Sequence, residues 1–257
     1  MWKQFLLVLA LSGAIAPAQA IDYTDIWWVP TESGWGVNFV QSDNLIFATM
    51  FVYGPDGAPT WVIAQMTRTP TGVFFGPVFA TTGPYYGAPA FKTSLSTEQQ
   101  VGTATFHPTG PANGELNYSV STVFVSKLIQ RQNLAAAALD GAYLGGTKTL
   151  LTGCDFPEQN GVTYNAALIF VDRFAPGQIQ LELVSDGGLL CKVAGTLEQQ
   201  GTLNGVTEAI YTCNDGLATT ATLSELKRTS LGIEGRLVAR IPQAECQQEV
   251  TFAAVLK

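Results

Sequence analysis

The feature that most constrains the fold is a series of short runs with apolar residues at alternate positions, separated by turns rich in Gly, Pro, Asn and Asp. A period of two is typical of strands with one buried face, and short connections favour antiparallel neighbours. The second half is therefore predicted to be an up-and-down meander that closes into a barrel. Its eight runs lie at about 141–153, 163–172, 177–185, 189–198, 205–213, 218–227, 231–241 and 247–256.

The first half has the same rhythm, whereas helical periodicity is nearly absent. The best helical stretch, Gln132–Leu139, predicts a short helical turn or linker, and we place a domain boundary there. The predicted fold class is all-β, with a Trp-rich domain at 21–133 and a disulfide-linked barrel domain at 134–257. Each is expected to be an antiparallel up-and-down barrel of about eight strands, lipocalin- or avidin-like in architecture. The runs of the first half lie at about 24–29, 35–42, 44–54, 59–68, 72–81, 101–107, 114–121 and 122–131.

The N-terminus has the pattern of a secretory signal peptide. One basic residue, Lys3, precedes an apolar run from Phe5 to Leu11, and residues 17–20 (PAQA) form a small-x-small ending. We predict cleavage after Ala20 and a periplasmic or secreted location in a bacterial envelope. The alternative is an uncleaved anchor, although the run is shorter than the roughly 20 residues of a membrane-spanning helix. No later run is long enough, so we expect no integral membrane segment after cleavage.

Four cysteines in the second half predict two disulfides, because an exported chain meets an oxidising compartment. In an antiparallel hairpin, the residue numbers of two opposite residues always add up to twice the number at the centre of the turn. A hairpin centred near residue 202 therefore places Cys191 opposite Cys213. Closure of the meander brings its first strand beside its last, so Cys154 meets Cys246. The predicted pairs are Cys191–Cys213 and Cys154–Cys246, the second across the closing seam of the barrel.

Charge and motif content exclude several functions. Without Lys3 the chain carries 12 Lys and Arg against 20 Asp and Glu, a net charge of −8. Such a chain lacks the basic face that nucleic acids and anionic lipids require, so no nucleic-acid partner is expected. The single histidine, His107, cannot form a multi-His metal site or a His-dependent triad. We therefore expect no metal, no cofactor and no enzymatic activity.

One run in the first half, Leu45–Val52, is apolar on both faces. A strand of this kind is normally covered on both sides. One cover is the core of its own domain. The other is expected to be the second half of the chain or a protein partner, and we favour contact between the halves.

The start of the predicted mature chain contains Asp25–Asn38 (DIWWVPTESGWGVN) and, downstream, Phe51–Trp61 (FVYGPDGAPTW). This pattern resembles a group of exported proteobacterial proteins that share a WW-x-P-x-E-S-G-W-G opening and a G-x-P-x-W strand start. The second half is similar to another exported module, whose landmarks here are Gly141–Gly145 (GAYLG), Thr152–Cys154 (TGC) and Tyr211–Gly216 (YTCNDG). The resemblance implies a bacterial envelope location and transfers no activity.

The segment Glu32–Gly36 (ESGWG) predicts a tight loop at a barrel mouth, and all four tryptophans that follow the predicted cleavage site lie between residues 27 and 61. We hypothesise a small-molecule or glycan site lined by flat aromatic side chains, with a carboxylate or an amide fixing the ligand's orientation. The alternative is that the Trp side chains fill the core. The candidate ligand-binding residues are Trp28, Glu32, Trp35, Asn38 and Trp61.

These features favour a non-catalytic exported envelope protein that acts as a binding or interaction module. Two alternatives stay open. An enzyme acting on glycans could pair Glu32 with Asp25 or Asp56, since glycoside hydrolysis uses two carboxylates about 5–10 Å apart. The other is an outer-membrane barrel, which the C-terminal Leu256–Lys257 and the two predicted disulfides disfavour.

Overall fold

The computed structural model describes residues 21–134 and 138–257. The predicted signal peptide at 1–20 and the middle of the predicted helical turn, at 135–137, lie outside the described residues. Residues 132–134 are irregular rather than helical. The all-β prediction is confirmed, because the two halves form two closed, eight-stranded antiparallel barrels.

In the first barrel each strand pairs with the next, and the pairing of β1 with β8 closes the ring. The connection after β5 is shorter than the gap between the predicted runs 72–81 and 101–107, because β6 begins at Thr97. That connection contains a short 3-10 helix, Thr93–Leu95. The strands are β1 (Asp25–Trp28), β2 (Gly36–Ser42), β3 (Leu45–Tyr53), β4 (Pro59–Arg68), β5 (Phe74–Thr82), β6 (Thr97–Pro108), β7 (Asn113–Val120) and β8 (Val123–Arg131).

In the second barrel the pairing of β9 with β17 brings the first strand beside the last and closes the ring, and β12 pairs with β14 past the short β13. The short strand β13 adds to the edge of β14, and a 3-10 helix, Pro157–Gln159, follows β9. The strands are β9 (Gly141–Thr152), β10 (Gly161–Ala175), β11 (Gln178–Ser185), β12 (Leu190–Thr196), β13 (Glu198–Gln200), β14 (Leu203–Cys213), β15 (Ala218–Arg228), β16 (Gly232–Ile241) and β17 (Cys246–Leu256).

Large side chains fill the interior of the first barrel. The ring of Phe106 packs against Phe39 and Trp27, with ring centroids 4.8 and 5.4 Å apart. Phe74 and Tyr23 complete this aromatic group. Tilted and edge-on contacts of this kind stabilise aromatic pairs beyond the effect of their buried area. The alternation in β1 therefore directs Trp27 into the core and its neighbour Trp28 to the outer surface.

Both predicted disulfides are present. Cys191 lies directly opposite Cys213 in the pairing of β12 with β14. Cys154, just after β9, is bonded to Cys246, the first residue of β17, over a sequence separation of 92. The two bonds fit a chain that folds outside the reducing cytoplasm.

A buried ion pair inside the first barrel holds a turn of the second barrel. Arg131, at the end of β8, donates to the Asp25 carboxylate over 2.9 Å, and both side chains are almost fully buried. The same carboxylate oxygen accepts hydrogen bonds of 2.8 Å from the backbone N–H and the hydroxyl of Thr202, in the turn between β13 and β14. Asn133 accepts a bond from the N–H of Gly201 in that turn.

Gly201 is the residue that this joint requires. Its φ of +67° is unfavourable for other residues, and a Cβ there would lie 2.5 Å from an Asp25 carboxylate oxygen and 2.6 Å from the Arg131 Cβ. The turn can therefore reach the ion pair only with glycine at this position.

The expected contact of β3 with the second half is wrong. Ile46, Ala48 and Met50 are fully buried in the first barrel, as predicted. On the opposite face Phe47 and Phe51 are 37% and 48% exposed. The barrels meet instead through the start of β1, the end of β8 and the β13–β14 turn.

Candidate functional site

The ESGWG loop lies at one mouth of the first barrel, as a tight connection between β1 and β2. The backbone N–H of Trp35 donates to the Glu32 carbonyl over 3.2 Å, and Gly34 has a φ of +102°. The indole N–H of Trp35 donates to the Tyr118 hydroxyl over 3.2 Å. Lys127 forms an ion pair with the Glu32 carboxylate, and its ammonium lies 5.6 Å from the centre of the Trp35 ring. The mouth is thus closed by a connected polar and aromatic cluster.

A second group of aromatic residues crosses the outer surface of the first barrel. In the strand register, Phe51 on β3 lies opposite Gly36 on β2 and opposite Trp61 on β4. Because Trp27 pairs with Val37, the adjacent Trp28 falls beside Gly36. We call Trp28, Gly36, Phe51 and Trp61 the outer row. Phe51 and Trp61 are exposed, whereas Trp28 is half-buried and its indole nitrogen is buried.

The outer faces of strands β1 to β5 carry no charged residue, and Glu32 and Asp56 lie in the loops at the end of the barrel where the outer row lies. In strands β1 to β5, all of them described, the charged residues are Asp25, which is buried, and Arg68, whose guanidinium lies 6.0 Å above the Phe74 ring. Trp61 is 55% exposed and Phe51 is 48% exposed. Exposed apolar side chains that neighbour one another are candidates for an interaction site.

The structure divides the five candidate residues between two places. Trp28, Asn38 and Trp61 lie on the outer surface, where Asn38 is paired with Thr49 in the row next to the outer row. Glu32 and Trp35 belong to the mouth cluster.

Sequence reasoning missed Phe51 and Gly36 as members of this surface. The apolar alternation on both faces of β3 was the signal for Phe51. This alternation predicts that another element covers the outer face of β3. The sequence does not show which strands the second half covers, so contact between the halves was the wrong interpretation.

The carboxylates considered for glycan hydrolysis each have a structural partner. Asp25 is held by Arg131 and Thr202 inside the inter-barrel joint. Glu32 is neutralised by Lys127, and Asp56 accepts a bond of 3.0 Å from the N–H of Ala58 within its own turn.

A groove of about 540 Å³ lies on the outside of the second barrel, where Ile21 and Asp22 approach β15 and β16. Its charged side chains bond mainly to one another. Asp22 pairs with Lys227 over 3.1 Å, and Arg236 pairs with Glu249 over 2.7 Å.

Within this groove Glu225 is held in an unfavourable environment. Burial raises the pKa of the Glu225 carboxyl above its ordinary 4.5, and although Arg236 opposes the shift, Glu249 and Glu234 add to it. Its backbone also has a φ of +57°. The ionised side chain therefore costs stability.

We expect Glu225→Gln to stabilise the protein at neutral pH and not at pH 4. A carboxyl with a raised pKa gives its full stability below the unfolded value of 4.5 and loses it as the pH rises through the folded pKa. The variant removes that loss, so its melting temperature at pH 7 should rise by about 1–2 °C. Thermal unfolding at both pH values checks this, and an equal change at pH 4 and pH 7 would contradict it.

Among the described residues no three His, Cys, Asp or Glu side chains are placed to hold a metal ion. Within 21–134 and 138–257, no helix has the length and hydropathy needed to cross a membrane. The sequence matches no protein-family model, and no curated protein is significantly similar to it. The arrangement of the site itself is therefore the basis for a functional assignment.

Proposed function

We propose that the chain is a non-catalytic, periplasmic or secreted envelope protein that binds a neutral glycan on the outer surface of its first barrel. The observation that carries this proposal is the outer row, in which Trp28, Phe51 and Trp61 follow one another across the strands. Sugars have apolar C–H faces and hydroxyl rims, so they combine well with flat aromatic rings beside side-chain amides and hydroxyls.

The charge distribution supports a neutral ligand. The outer face of β1 to β5 is uncharged, and the chain after residue 20 carries a net charge of −8. An acidic polymer would be repelled by the protein as a whole, and a basic one would find no carboxylate on this face. The polar groups that accompany the rings are neutral, and they include the amide of Asn38 and the hydroxyl of Thr49.

An envelope location agrees with the rest of the chain. The predicted signal peptide, the two disulfides and the resemblance to exported proteobacterial proteins all favour it.

We expect Trp61→Ala to weaken glycan binding without affecting stability. Loss of one stacking ring should lower the affinity about tenfold, which corresponds to about 1.4 kcal/mol. The free energy of unfolding should change by less than about 0.5 kcal/mol, because the side chain lies on the surface. Calorimetric titration with neutral hexasaccharides of β-1,4-linked glucose and N-acetylglucosamine measures the affinity.

Phe75→Ala is the matched control. Phe75 is 52% exposed on the same uncharged face. It pairs with Thr67, which is six residues along β4 from Trp61. Phe75 therefore lies about 20 Å from Trp61. This variant should bind as the unmodified protein does. Equal losses for Phe75→Ala and Trp61→Ala, or no binding of either hexasaccharide to the unmodified protein, would contradict the proposed function.

A further inference from the structure

The groove on the second barrel has the volume of a small-molecule site. It measures about 540 Å³, and ligand pockets commonly measure about 300–1,000 Å³. Gly146 pairs with both Ala166 and Ala253 on the neighbouring strands, so these three small residues share one face and line the groove together. We call them the groove floor. Ile21 and Asp22 of the first half border the groove, and ligand sites are frequent where two domains meet.

Glu225 reaches the groove from an irregular position in β15. The register of β15 with β16 shifts between Ser224 and Lys227, so Glu225 lies in a β-bulge. Its φ of +57° is in the left-handed region, which is unfavourable for a glutamate. Bulges redirect side chains and are frequent next to functional sites. This bulge places a carboxylate in the lining of the groove at a cost in backbone conformation.

The charge of Glu225 is poorly compensated by the protein. Among the described residues its one ionic contact within 4.0 Å is with Arg236, at 4.0 Å. Arg236 itself bonds to Glu249 over the shorter distance of 2.7 Å. The Glu225 side chain is only 21% exposed, and burial raises the pKa of its carboxyl. A desolvated carboxylate in a cavity, with a weak counter-ion, is suited to receive the positive charge of a ligand.

We infer that this groove binds a small molecule that carries a protonated amine on a compact apolar body, and that Glu225 accepts the hydrogen bonds of the ammonium. Hydrogen bonds between ionised groups are stronger than those between neutral ones. The apolar body rests on the groove floor, and Tyr164, which is 74% exposed, lines the same groove. This site lies on the second barrel and does not depend on the proposed glycan surface.

The charges of the chain favour a cation in this groove. The net charge of −8 after residue 20 attracts positive ligands to the protein as a whole. Two of the basic residues that line the groove are engaged, Lys227 by Asp22 and Arg236 by Glu249. Lys148, the third, forms no ion pair within 4.0 Å among the described residues, so an anionic probe is the necessary comparison.

Titration calorimetry at pH 7 with phenethylamine, phenethyl alcohol and phenylacetate tests this inference. The three probes carry the same aromatic ring and are cationic, neutral and anionic. Phenethylamine should bind at least about tenfold more tightly than either of the others, because only its ammonium can pair with Glu225. Absence of phenethylamine binding, equal affinities of the three probes, or tighter binding of phenylacetate would overturn the inference.

Glu225→Gln separates a binding role from a structural one. The variant should lose the preference for phenethylamine while its melting temperature at pH 7 rises by about 1–2 °C, since the poorly compensated charge is removed. Glu208→Gln is the matched control, because Glu208 is an exposed carboxylate on β14 that does not line the groove. It should keep the preference. Retention of the preference by Glu225→Gln, or its loss in both variants, would contradict the assignment.

Ala253→Leu tests whether the probe lies on the groove floor. Ala253 is exposed, so a larger side chain fits without disturbing the core but occupies space in the groove. Phenethylamine should bind this variant at least about tenfold more weakly, with the melting temperature nearly unchanged. Unaltered affinity would show that the amine binds outside the groove and would overturn the inference.

Discussion

Asp25→Ala is expected to destabilise the protein by about 3–5 kcal/mol, because it leaves the Arg131 guanidinium buried without its carboxylate. The loss should extend to both barrels. Asp25 also accepts the hydrogen bonds of Thr202, so the variant removes the polar centre of the inter-barrel joint as well as an ion pair. Equilibrium unfolding in urea, followed by a probe in each barrel, measures the change and shows whether the barrels separate in two transitions.

Asp22→Ala is the control for this prediction. Asp22 also connects the two halves through an ion pair, with Lys227, but both side chains are partly exposed. Exposed pairs typically contribute less than about 1 kcal/mol, so this variant should change little.

Combining Asp25→Ala with Arg131→Met should recover part of the lost stability, because the buried charge is then absent. A loss below about 1 kcal/mol for Asp25→Ala would contradict our account of the joint.

Replacement of Cys154 and Cys246 by Ala is expected to cost about 4–5 kcal/mol. The bond closes a loop with a sequence separation of 92, and in the chain-entropy model such a loop restricts the unfolded chain by about 4.6 kcal/mol. The bond also joins the regions that begin and end the second barrel, at the seam between β9 and β17. Urea unfolding of the oxidised protein and of this double variant measures the difference.

The second disulfide is the internal comparison. Replacing Cys191 and Cys213 by Ala removes a bond of sequence separation 22, for which the same model gives about 3.4 kcal/mol. The seam variant should therefore be the less stable of the two by about 1 kcal/mol. The reverse order would indicate that strain or residual structure in the unfolded chain, and not loop length, determines the contribution of each bond.

The strands and the disulfide pairing were predictable because they depend on local rules. Alternation with a period of two locates the strands, and a hairpin centred near 202 fixes which residues lie opposite each other. Cys191 and Cys213 follow from that register alone. Cys154 and Cys246 follow from the further assumption that the meander closes, which the pairing of β9 with β17 bears out.

The inter-barrel joint was not predictable in the same way. Asp25 appears in the sequence as an ordinary charged residue at the start of a strand, and such residues are usually exposed. Its partner Arg131 is 106 residues away, and Thr202 belongs to the other barrel. Only the closure of β1 on β8, together with docking of a turn that contains Gly201, brings these groups together.

The sequence predicted which residue types form the candidate site, but it did not predict how those residues are arranged in space. The Trp-rich opening suggested one cluster, because its residues are close in sequence. Strand alternation separates them, since Trp27 enters the core, Trp28 faces outward and Trp35 lies at the mouth. Phe51 joins the outer row through the register of β3 with β2 and β4, which the sequence of a single strand does not contain.

The most direct test of the proposed glycan surface is collisional quenching of tryptophan fluorescence by acrylamide, before and after saturation with a β-1,4-linked hexasaccharide that binds by calorimetry. Trp61 is 55% exposed and Trp27 is fully buried, so quenching of the free protein should come largely from the outer surface. We predict that the bound glycan shields this surface and lowers the quenching constant, and that Trp61→Ala removes most of the effect. Calorimetric binding that leaves the quenching constant unchanged would place the ligand elsewhere and contradict the account.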